Sequence, residues 1–395
     1  MKVKKALTRV KKLSVSYHYV LFAHRFAPLV GGVESYAENM ARELVAQGNA
    51  ATVVTSRLDG SSEVELRDDG VTVFRLPSFS LLGGRLPLAW HNARHKELMT
   101  QLVGLGVDRV VVNTRFYQHS LDGLRFAQEV GVPALVLDHG SAHITLGNAV
   151  ADVAVEKYEH AMTKKVCAYR PRFAGVSRKS VEWLRHFGID TDTVVPNAIN
   201  AAQFQSLASM RNFRSEFGIA DDSLLVLFVG RLTPEKGPEK LVEAANLLAH
   251  ESIHFVFAGS GFLEDELKAT AAPNVHFVGT IDRADLSSLL QLAQVFCLPT
   301  RSEGFCTSLL EASACGLVSV IPDVGGAQEL IPDSSYGYII KSTEPSTIAH
   351  ALKDIMALGP DGRMAMGTRA QQWVEEHYNW ASSVRVLEAA FEAEF

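Results

Sequence analysis

The sequence predicts an α/β protein with two doubly wound parallel-sheet domains. Its 395 residues exceed the roughly 100–200 residues of a typical domain, so we expect two domains. Short apolar runs alternate with segments of helical periodicity, which is the pattern of a parallel sheet covered by helices on both faces. An apolar fraction of 47% with 21% charged residues fits a packed chain and argues against a long disordered region.

Each half of the chain contains five predicted strands. Helices are expected between the strands, most clearly over 33–47, where Tyr36, Met40 and Leu44 recur at helical spacing. The strands cover residues 17–23, 51–55, 109–112, 134–137 and 173–176 in the first half, and 224–230, 254–258, 275–278, 295–299 and 318–322 in the second.

The alternation is interrupted near the middle of the chain. A polar stretch over 201–222 separates the two sets of strands. We therefore predict a first domain over 1–199 and a second over 200–380, followed by a segment with helical spacing over 381–395.

Charge and cysteine content exclude several classes of function. The formal net charge of −6 argues against general nucleic-acid binding, which requires a basic surface. The four cysteines form no CxxC pair, so neither a disulfide framework nor a zinc site is predicted, and we expect reduced thiols in a cytoplasmic protein. No apolar run approaches the roughly 18 residues that are needed to span a bilayer.

Two strand-to-helix turns in the second half are candidate diphosphate sites. After the strand 224–230, Arg231 and Lys236 lie on one loop at a helix entrance, where a guanidinium and an ammonium group could neutralise bridged phosphates. Such a pair is by itself more often solvated surface, and its position after a buried strand is what favours a site.

The second turn is the segment Glu303-Gly-Phe-Cys-Thr-Ser-Leu-Leu-Glu311, whose helix is predicted to begin near Cys306 or Thr307. The backbone amides of that first helical turn would attract a phosphate. Glu311 lies one helical turn after Thr307, where its carboxylate could accept hydrogen bonds from ribose hydroxyls. Glu303 precedes the helix and would lie near a sugar. The alternative is that Glu303 caps the helix and that Glu311 is exposed.

The first half contains two weaker candidates. Gly31 and Gly32 precede the first helix and permit close approach of a ligand to the backbone. His139 follows a predicted strand and could direct a ring nitrogen at a ligand, although a histidine at such a position is more often structural.

These segments together closely resemble family 4 of the retaining glycosyltransferases, which have the GT-B fold of two facing Rossmann-like domains with a cleft between them. The match extends from Gly31-Gly32-Val-Glu34 through His139-Gly140, Gly230-Arg231 and the Glu303 to Glu311 segment to Gly325-Gly326. The order and spacing of so many pieces make the resemblance specific. It implies that the last helix, over 381–395, packs back on the first domain.

The resemblance implies a role for each candidate residue. The protein would be a hexosyltransferase that uses a nucleoside-diphosphate sugar, UDP- or GDP-linked, as co-substrate, with no cofactor and no metal. Arg231 and Lys236 would stabilise the leaving diphosphate, Glu311 would hold the ribose, and Glu303 and His139 would contact the donor sugar. Other donor contacts are implied for Gly31, Gly32, Gly259, Gly261, Gly279, Gly304, Phe305, Cys306 and Thr307.

One position departs from the family pattern at the donor site. The family usually has glycine after Glu-Gly-Phe, whereas this chain has Cys306. Its side chain must either point away from the phosphate or narrow the sugar pocket, so the identity of the sugar stays open.

Several other functions are alternatives to glycosyl transfer. A nicotinamide dehydrogenase is disfavoured because Gly259-Ser-Gly261 lacks the third glycine of the dinucleotide fingerprint. Asp190-Thr-Asp192 follows no predicted strand, and His91 with His95 shows no third ligand, so no metal site is predicted. A sugar-nucleotide epimerase or phosphorylase of the same fold, or a non-catalytic paralogue that acts as a partner subunit, remains an alternative.

The acceptor is not identified by the sequence, and a saccharide or a lipid-linked sugar is expected. Six basic residues in the first twelve and the apolar stretch Phe79 to Trp90 suggest peripheral contact with the inner face of a membrane. A frayed tail and a packed loop explain the same features. The basic residues are Lys2, Lys4, Lys5, Arg9, Lys11 and Lys12.

Overall fold

A computed structural model of the chain describes residues 17–29, 31–57, 60–81, 86–145 and 148–393. These residues divide into two compact units. The first contains the described parts of Met1–Asn197 and Trp380–Phe395, and the second is Ala198–Asn379. The chain therefore passes from the first unit to the second between Asn197 and Ala198, two residues before the predicted boundary, and returns at Trp380.

The first unit is built on a seven-stranded sheet, within the described residues, in the order β3-β4-β2-β1-β7-β8-β9. All neighbouring strands are parallel except β3 and β4. The strands are β1 His18–Phe22, β2 Ala50–Ser56, β3 Val64–Leu66, β4 Thr72–Leu76, β7 Arg109–Asn113, β8 Ala134–Asp138 and β9 Arg172–Gly175, and a separate antiparallel hairpin pairs β5 Ser78–Leu81 with β6 Leu86–Ala89.

Helices cover this sheet on both faces, as the buried central strands require. Every residue of β1 and β2 is buried, which is the character of parallel strands between two helical layers. The helices are α1 Gly32–Ala46, α2 Ala93–Val103, α3 Gln118–Val130, α4 Ala149–Cys167 and α5 Arg178–Arg185. In the core, Val20, Phe22 and Val112 from the sheet pack against Leu124 and Phe126 of α3.

The second unit is built on a six-stranded parallel sheet, among the described residues, in the order β12-β11-β10-β13-β14-β15. The strands are β10 Leu224–Val229, β11 Ile253–Ala258, β12 Val275–Gly279, β13 Val295–Cys297, β14 Val318–Pro322 and β15 Gly337–Ile340. The helices are α6 Ala201–Ser206, α7 Phe213–Phe217, α8 Pro238–Leu247, α9 Glu264–Thr270, α10 Arg283–Leu292, α11 Thr307–Ala314, α12 Ala327–Leu330, α13 Pro345–Ala357 and α14 Gly359–His377.

The last helix, α15 (Trp380–Glu392), belongs to the first unit. The Trp380 ring meets Tyr36 of α1 edge-on at 5.5 Å, and Phe391 meets Tyr19 of β1 edge-on at 6.1 Å. The Arg172 Nη1 atom donates to the carbonyl oxygen of Ala390 at 2.9 Å. Aromatic contacts thus attach α15 to α1 and β1, and a hydrogen bond attaches it to β9.

The predicted fold class, two Rossmann-like parallel-sheet domains, is confirmed, and each of the ten predicted strands is present. The prediction omitted the edge strands β3 and β15, and also β4, which is buried between β3 and β2. The stretch Phe79 to Trp90, for which a packed loop or a membrane contact was predicted, covers most of the β5–β6 hairpin. Phe79 on β5 is 49% exposed, and Trp90, directly after β6, is 62% exposed. Within the described ranges, no helix combines the length and apolarity needed to cross a membrane.

Candidate functional site

The loops that follow β10 and β13 meet at one edge of the second sheet. These strands are direct neighbours and run parallel, so their carboxyl ends lie together. The Arg301 amide donates to the carbonyl oxygen of Glu235 at 2.9 Å. Gly237 is also in contact with the second loop, since a Cβ atom there would lie 2.3 Å from the Pro299 oxygen. Backbone contacts therefore hold the two candidate turns against each other.

The side chains of Lys236 and Glu303 form an ion pair between these turns. The Lys236 Nζ atom donates to Glu303 Oε1 at 2.6 Å, and the two side chains are only 16% and 12% exposed. An ammonium donor and a carboxylate acceptor at this short distance form a charge-assisted hydrogen bond, and the site is partly buried. The residue predicted to bind phosphate and the residue predicted to contact the sugar thus share one site, 67 positions apart in sequence.

Arg231 lies on the same loop but is more accessible. Its side chain is 57% exposed, and its Nη2 atom is 3.5 Å from Glu235 Oε2. A pair at this distance and exposure holds the guanidinium weakly. The side chain can therefore leave Glu235 for an anion without a large loss of stability.

The loop 303–306 is paired with the loop after β14. The Gly325 amide donates to the carbonyl oxygen of Glu303 at 3.2 Å, and the Cys306 amide donates to the carbonyl oxygen of Gly325 at 3.1 Å. The prediction that the Cys306 amide binds phosphate is therefore corrected, because a carbonyl group already satisfies that donor. Gly304, Phe305 and Thr307 lie on the same turn, with Thr307 the first residue of α11.

Cys306 is the position at which this chain departs from the family pattern. The residue is 1% exposed, and its Sγ atom lies 3.5 Å from Ser308 Oγ. Burial raises the pKa of the thiol to about 12, so the group is a neutral, packed thiol at ordinary pH. The structure therefore shows a buried side chain at this position, and its effect on the phosphate and the sugar pocket stays a prediction.

Glu311 is buried on α11, which rules out the alternative that it is an exposed helix residue. The residue is 7% exposed, and the Arg283 Nη1 atom lies 3.4 Å from its Oε1 atom. Burial raises the pKa of this carboxyl group to about 7, against the opposing effect of Arg283. A buried acid with a raised pKa and a single cationic neighbour is typical of a functional site.

At three positions predicted to contact the donor, the backbone of the second unit itself explains why the residue is glycine. A Cβ atom on Gly259 would lie 1.9 Å from the Gly230 oxygen, and one on Gly261 would lie 2.2 Å from the Leu232 oxygen. Gly279 has a φ of +68° and accepts a hydrogen bond from the Gly259 amide at 2.8 Å. Gly259 and Gly261 thus allow neighbouring backbone segments to approach closely, whereas Gly279 provides a left-handed backbone conformation.

In the first unit, Gly31 and Gly32 lie at the start of α1. Gly31 is the N-cap residue and Gly32 the first helical residue. A Cβ atom on Gly32 would meet no atom of the described residues within 4 Å, whereas one on Gly31 would lie 2.3 Å from Glu34 Oε2. Space beside Gly32 is therefore open, as a ligand contact requires.

His139 is half-buried at the end of β8 and held in one orientation. Its Nε2 atom is 3.0 Å from Asn113 Oδ1, and the ring of Tyr36 packs against it edge-on at 4.9 Å. Since the Asn113 Nδ2 group donates to the Phe22 carbonyl oxygen at 3.2 Å, Asn113 Oδ1 accepts from a protonated His139 Nε2. Burial lowers the pKa of His139 to about 3, which leaves Nδ1 as an acceptor.

Asn113 and Arg283 were not predicted from the sequence as site residues. Asn113 ends β7 after a run of three valines, and a polar residue at such a strand end was the available signal. Arg283 begins α10 directly after its N-cap residue Asp282, and nothing in the local sequence connects it with Glu311. Comparison with known proteins adds to this description of the two units.

Two family models together match most of the chain. Residues 30–203 match the model described as Glycosyltransferase Family 4, and residues 209–373 match the model described as Glycosyl transferases group 1. The chain belongs to the family 4 glycosyltransferases. The resemblance of the motifs is thereby confirmed, and glycosyl transfer is the activity supported over epimerase or phosphorylase chemistry.

One relative and two solved structures show how far the similarity extends. The GDP-mannose-dependent alpha-(1-6)-phosphatidylinositol monomannoside mannosyltransferase of Mycolicibacterium smegmatis is 26% identical over 91% of this chain and 94% of its own. A glycosyltransferase from Rickettsia africae has a TM-score of 0.74 at 17% identity, covering 95% of this chain and 98% of its own. Anabaena HepE in complex with UDP-glucose has a TM-score of 0.69 at 18% identity, covering 95% of this chain and 100% of its own. These structures share the GT-B fold with the chain.

Proposed function

We propose that the protein is a retaining, metal-independent hexosyltransferase that takes its sugar from a nucleoside-diphosphate sugar. The observation that carries the proposal is the ion pair of Lys236 and Glu303, 2.6 Å apart at the neighbouring ends of β10 and β13. An ammonium group for phosphate and a carboxylate for sugar hydroxyls are the two partners that such a donor needs. The GDP-mannose dependence of the mycobacterial relative and the UDP-glucose complex of HepE support a GDP- or UDP-linked sugar.

Charge neutralisation is the main contribution of the site to transfer. When the bond between the sugar C1 atom and the phosphate oxygen breaks, negative charge develops on the nucleoside diphosphate. Lys236 exchanges its contact with Glu303 for the phosphate, and Arg231 leaves its weak contact with Glu235. Fixed cations at the position of developing charge stabilise the transition state. These side chains supply the charge that a divalent ion supplies in other transferases.

Retention follows from the side of the sugar at which the acceptor reacts. The acceptor hydroxyl approaches C1 on the face from which the diphosphate leaves, and the new C1–oxygen bond forms there. The acceptor proton passes to the departing phosphate oxygen, so no enzyme nucleophile is required. His139, with its Nδ1 acceptor, is assigned to a hydroxyl of the donor sugar, and Gly32 to a backbone contact.

Glu311 is assigned to the ribose. Its carboxylate is buried at α11, four residues after Thr307. Hydrogen bonds from two ribose hydroxyls would replace the water that burial removes and would favour the ionised carboxylate. Phosphate contacts are assigned to the turn of Gly304, Phe305 and Thr307, while Cys306 supports this turn through its bond to Gly325.

The acceptor is proposed to be a saccharide or a lipid-linked sugar, with the protein in the cytoplasm at the inner face of the membrane. The exposed side chains of Phe79 on β5 and of Trp90, directly after β6, support contact with a membrane interface. The basic residues near the N-terminus lie outside the described residues. Sedimentation with anionic vesicles, comparing the full chain with a chain that lacks residues 1–12, tests the tail. Equal binding by both chains would remove the tail from the proposal.

Donor use is tested with a thermal-shift screen of nucleoside diphosphates and their sugars, followed by turnover with the donor that stabilises most. We expect Lys236→Ala and Glu303→Ala to lower turnover at least 100-fold while the protein stays folded. Lys268→Ala is the matched control, because Lys268 pairs with Glu264 on the exposed surface of α9. Undiminished turnover in either site variant would refute the assignment, and NMR of the product anomer would establish retention or inversion.

A further inference from the structure

Three histidine side chains converge on the surface of the first unit. His143 lies in the loop after β8, His160 lies on α4, and His186 follows α5. Their ring centroids are 5.6, 5.2 and 5.1 Å apart in the three pairs. One ring nitrogen from each lies within 4.8 Å of the others. Three separate elements thus bring imidazole groups to one point.

The orientation of His143 is determined by the buried acid Glu159. The His143 Nδ1 atom is 3.2 Å from Glu159 Oε2, and that carboxylate also accepts from Arg115 at 3.1 Å and from the Ile144 amide at 2.9 Å. Because an ionised carboxylate only accepts, His143 must donate from Nδ1. Its Nε2 atom then carries a lone pair.

Among the described residues that lone pair has no hydrogen-bond partner, although the Nε2 atom is buried. A buried hydrogen-bond acceptor without a partner lowers the stability of the folded protein. A carboxylate that holds one nitrogen while the other faces a cluster of histidines is the arrangement found around metal-binding histidines. The His143 ring is therefore already in the tautomer and orientation of a metal ligand.

We propose that His143, His160 and His186 bind one divalent metal ion of the zinc class, separate from the site of sugar transfer. Zinc sites with three histidine ligands and an open fourth position are well established in proteins. Glu156, on the same helix as His160 and one turn away, has its Oε1 atom 3.9 Å from His143 Nε2 and is a candidate fourth ligand.

Local charge also favours a cation at this point. Behind His143, one buried guanidinium, Arg115, is shared by two buried carboxylates, Asp138 and Glu159. The three groups carry a net charge of about −1 when both acids are ionised. Glu156 adds a further negative charge at the surface, and a bound dication would offset both.

Only small side-chain rotations are required to complete the site. With zinc–nitrogen bonds of about 2.0–2.1 Å, ligand atoms in a tetrahedral site lie about 3.3 Å apart. His160 and His186 are exposed and can move from within 4.8 Å to that separation. The ring of His186 stacks on Trp183 at 4.8 Å, which already limits its orientation.

The pair considered in the sequence analysis, His91 and His95, has a different geometry. The structure supplies a third side chain, Asp122, whose Oδ1 atom is 2.9 Å from His91 Nε2. The Gln118 Nε2 group is 3.2 Å from His91 Nδ1 while Gln118 Oε1 accepts from the Ala89 amide. Gln118 therefore donates to Nδ1, and His91 Nε2 carries a proton that it donates to Asp122. This nitrogen is occupied, unlike His143 Nε2, whereas His95 Nε2 of the same group is buried without a hydrogen-bond partner among the described residues.

A metal at the three histidines would connect the loop after β8 to α4 and α5. His139 stands at the start of that loop. The ion would thus restrain the segment that carries a predicted sugar contact, without itself taking part in transfer.

The test is a zinc titration of the full chain after removal of metals with a chelator. Calorimetry is expected to show one zinc ion per chain in the wild type. His160→Asn and His186→Asn, both at exposed positions, should each weaken binding at least 10-fold, whereas the exposed His250→Asn control should bind as the wild type does. Cobalt substitution should give the intense visible bands of a four-coordinate site, and these should be absent in His160→Asn.

Glu159→Gln tests the orientation of His143 and should weaken zinc binding about 10- to 100-fold. If that buried substitution prevents folding, the two exposed histidine variants still decide the question. No saturable zinc binding by the wild type, or equal binding by the wild type, His160→Asn and His186→Asn, would overturn the proposal. Binding is measured without substrates, so the result is independent of the proposed transfer activity.

Discussion

At the scale of single residues, Glu311 shows how burial changes an acid that the sequence places on an ordinary helix. Its carboxyl group keeps one contact with Arg283 at 3.4 Å and is otherwise surrounded by protein. The helix determines its spacing from Thr307. The pKa depends instead on the burial produced by the packing of α11 in the second unit.

The raised pKa of Glu311 predicts a measurable effect of pH on stability. Between the unfolded value of about 4.3 and the folded value of about 7, the folded chain retains a proton that the unfolded chain has lost. The free energy of unfolding therefore falls as the pH rises through this interval, by about 4 kcal/mol in total. Glu311→Gln should remove this fall and be more stable than the wild type at pH 8.

Urea unfolding at pH 4, 6 and 8 measures the effect. At pH 4 the wild type and Glu311→Gln should have similar free energies of unfolding, since the acid is then protonated in both states. Glu376→Gln, at an exposed position on α14, is the control and should follow the wild type. A Glu311→Gln variant that is less stable than the wild type at pH 8 would contradict the argument.

In the first unit, His139 is a second residue whose pKa depends on burial. Asn113 accepts from its Nε2–H group, and burial lowers the pKa of the ring to about 3. We expect nitrogen NMR shifts of a single neutral Nε2–H tautomer, unchanged between pH 5 and 8. Asn113→Ala removes the acceptor and should populate the second tautomer. Titration of the His139 ring between pH 6 and 7 would show that the assignment is wrong.

At the scale of elements, the second unit aligns its candidate residues by contacts between loops. Gly325 lies against the loop 303–306, where a Cβ atom would be 2.3 Å from the carbonyl oxygens of both Glu303 and Gly304. Both neighbours are backbone atoms, which cannot rotate away as a side chain can. The glycine therefore determines how closely the loop after β14 approaches the loop after β13.

Gly325→Ala should separate these loops. We expect a loss of about 1–3 kcal/mol in the free energy of unfolding, as in other overpacked sites, together with weaker binding of nucleoside diphosphates. Gly32→Ala is the matched control for stability, because in the part of the chain that the structure describes no atom lies within 4 Å of the added methyl group. Thermal unfolding measures both variants. Equal melting temperatures for Gly325→Ala and the wild type would show that the loops adjust freely.

At the scale of the whole molecule, the first unit is completed by the two ends of the chain. Phe391 of α15 is 6% exposed, meets Tyr19 edge-on, and has the Arg109 guanidinium 5.2 Å from its ring centre. Ser383 donates to the Pro196 carbonyl oxygen at 2.9 Å. The fold of the first unit thus depends on residues that are synthesised after the whole second unit.

Phe391→Ala should destabilise the first unit by about 3–5 kcal/mol, the range for truncating a buried phenylalanine. Hydrogen exchange is expected to increase in β1 and α1 and to stay unchanged in β10 and β11. Val386→Ala, on the same helix but 37% exposed, should alter exchange in neither unit. Equal loss of protection in both units would mean that they unfold together.

Many strands, helices and turns could be predicted from the sequence because the residue patterns that determine them are local. Apolar runs of strand length specify β1, β2 and β10, and helical spacing specifies α1. The strand-end turns place Arg231, Lys236, Glu303 and Glu311 in candidate positions by the same local logic. The short strands β3 and β15 were omitted because three or four residues at a sheet edge carry little periodic signal.

The sequence by itself determined the class of the protein, the succession of ten of its strands along the chain and the residue types available for chemistry. Only the tertiary structure decided which of those residues meet. Lys236 reaches Glu303 across 67 positions, Arg283 reaches Glu311, and His143, His160 and His186 converge from three elements. The physical reason is that periodicity depends on near neighbours in the chain, whereas ion pairs, burial and pKa values depend on neighbours in space.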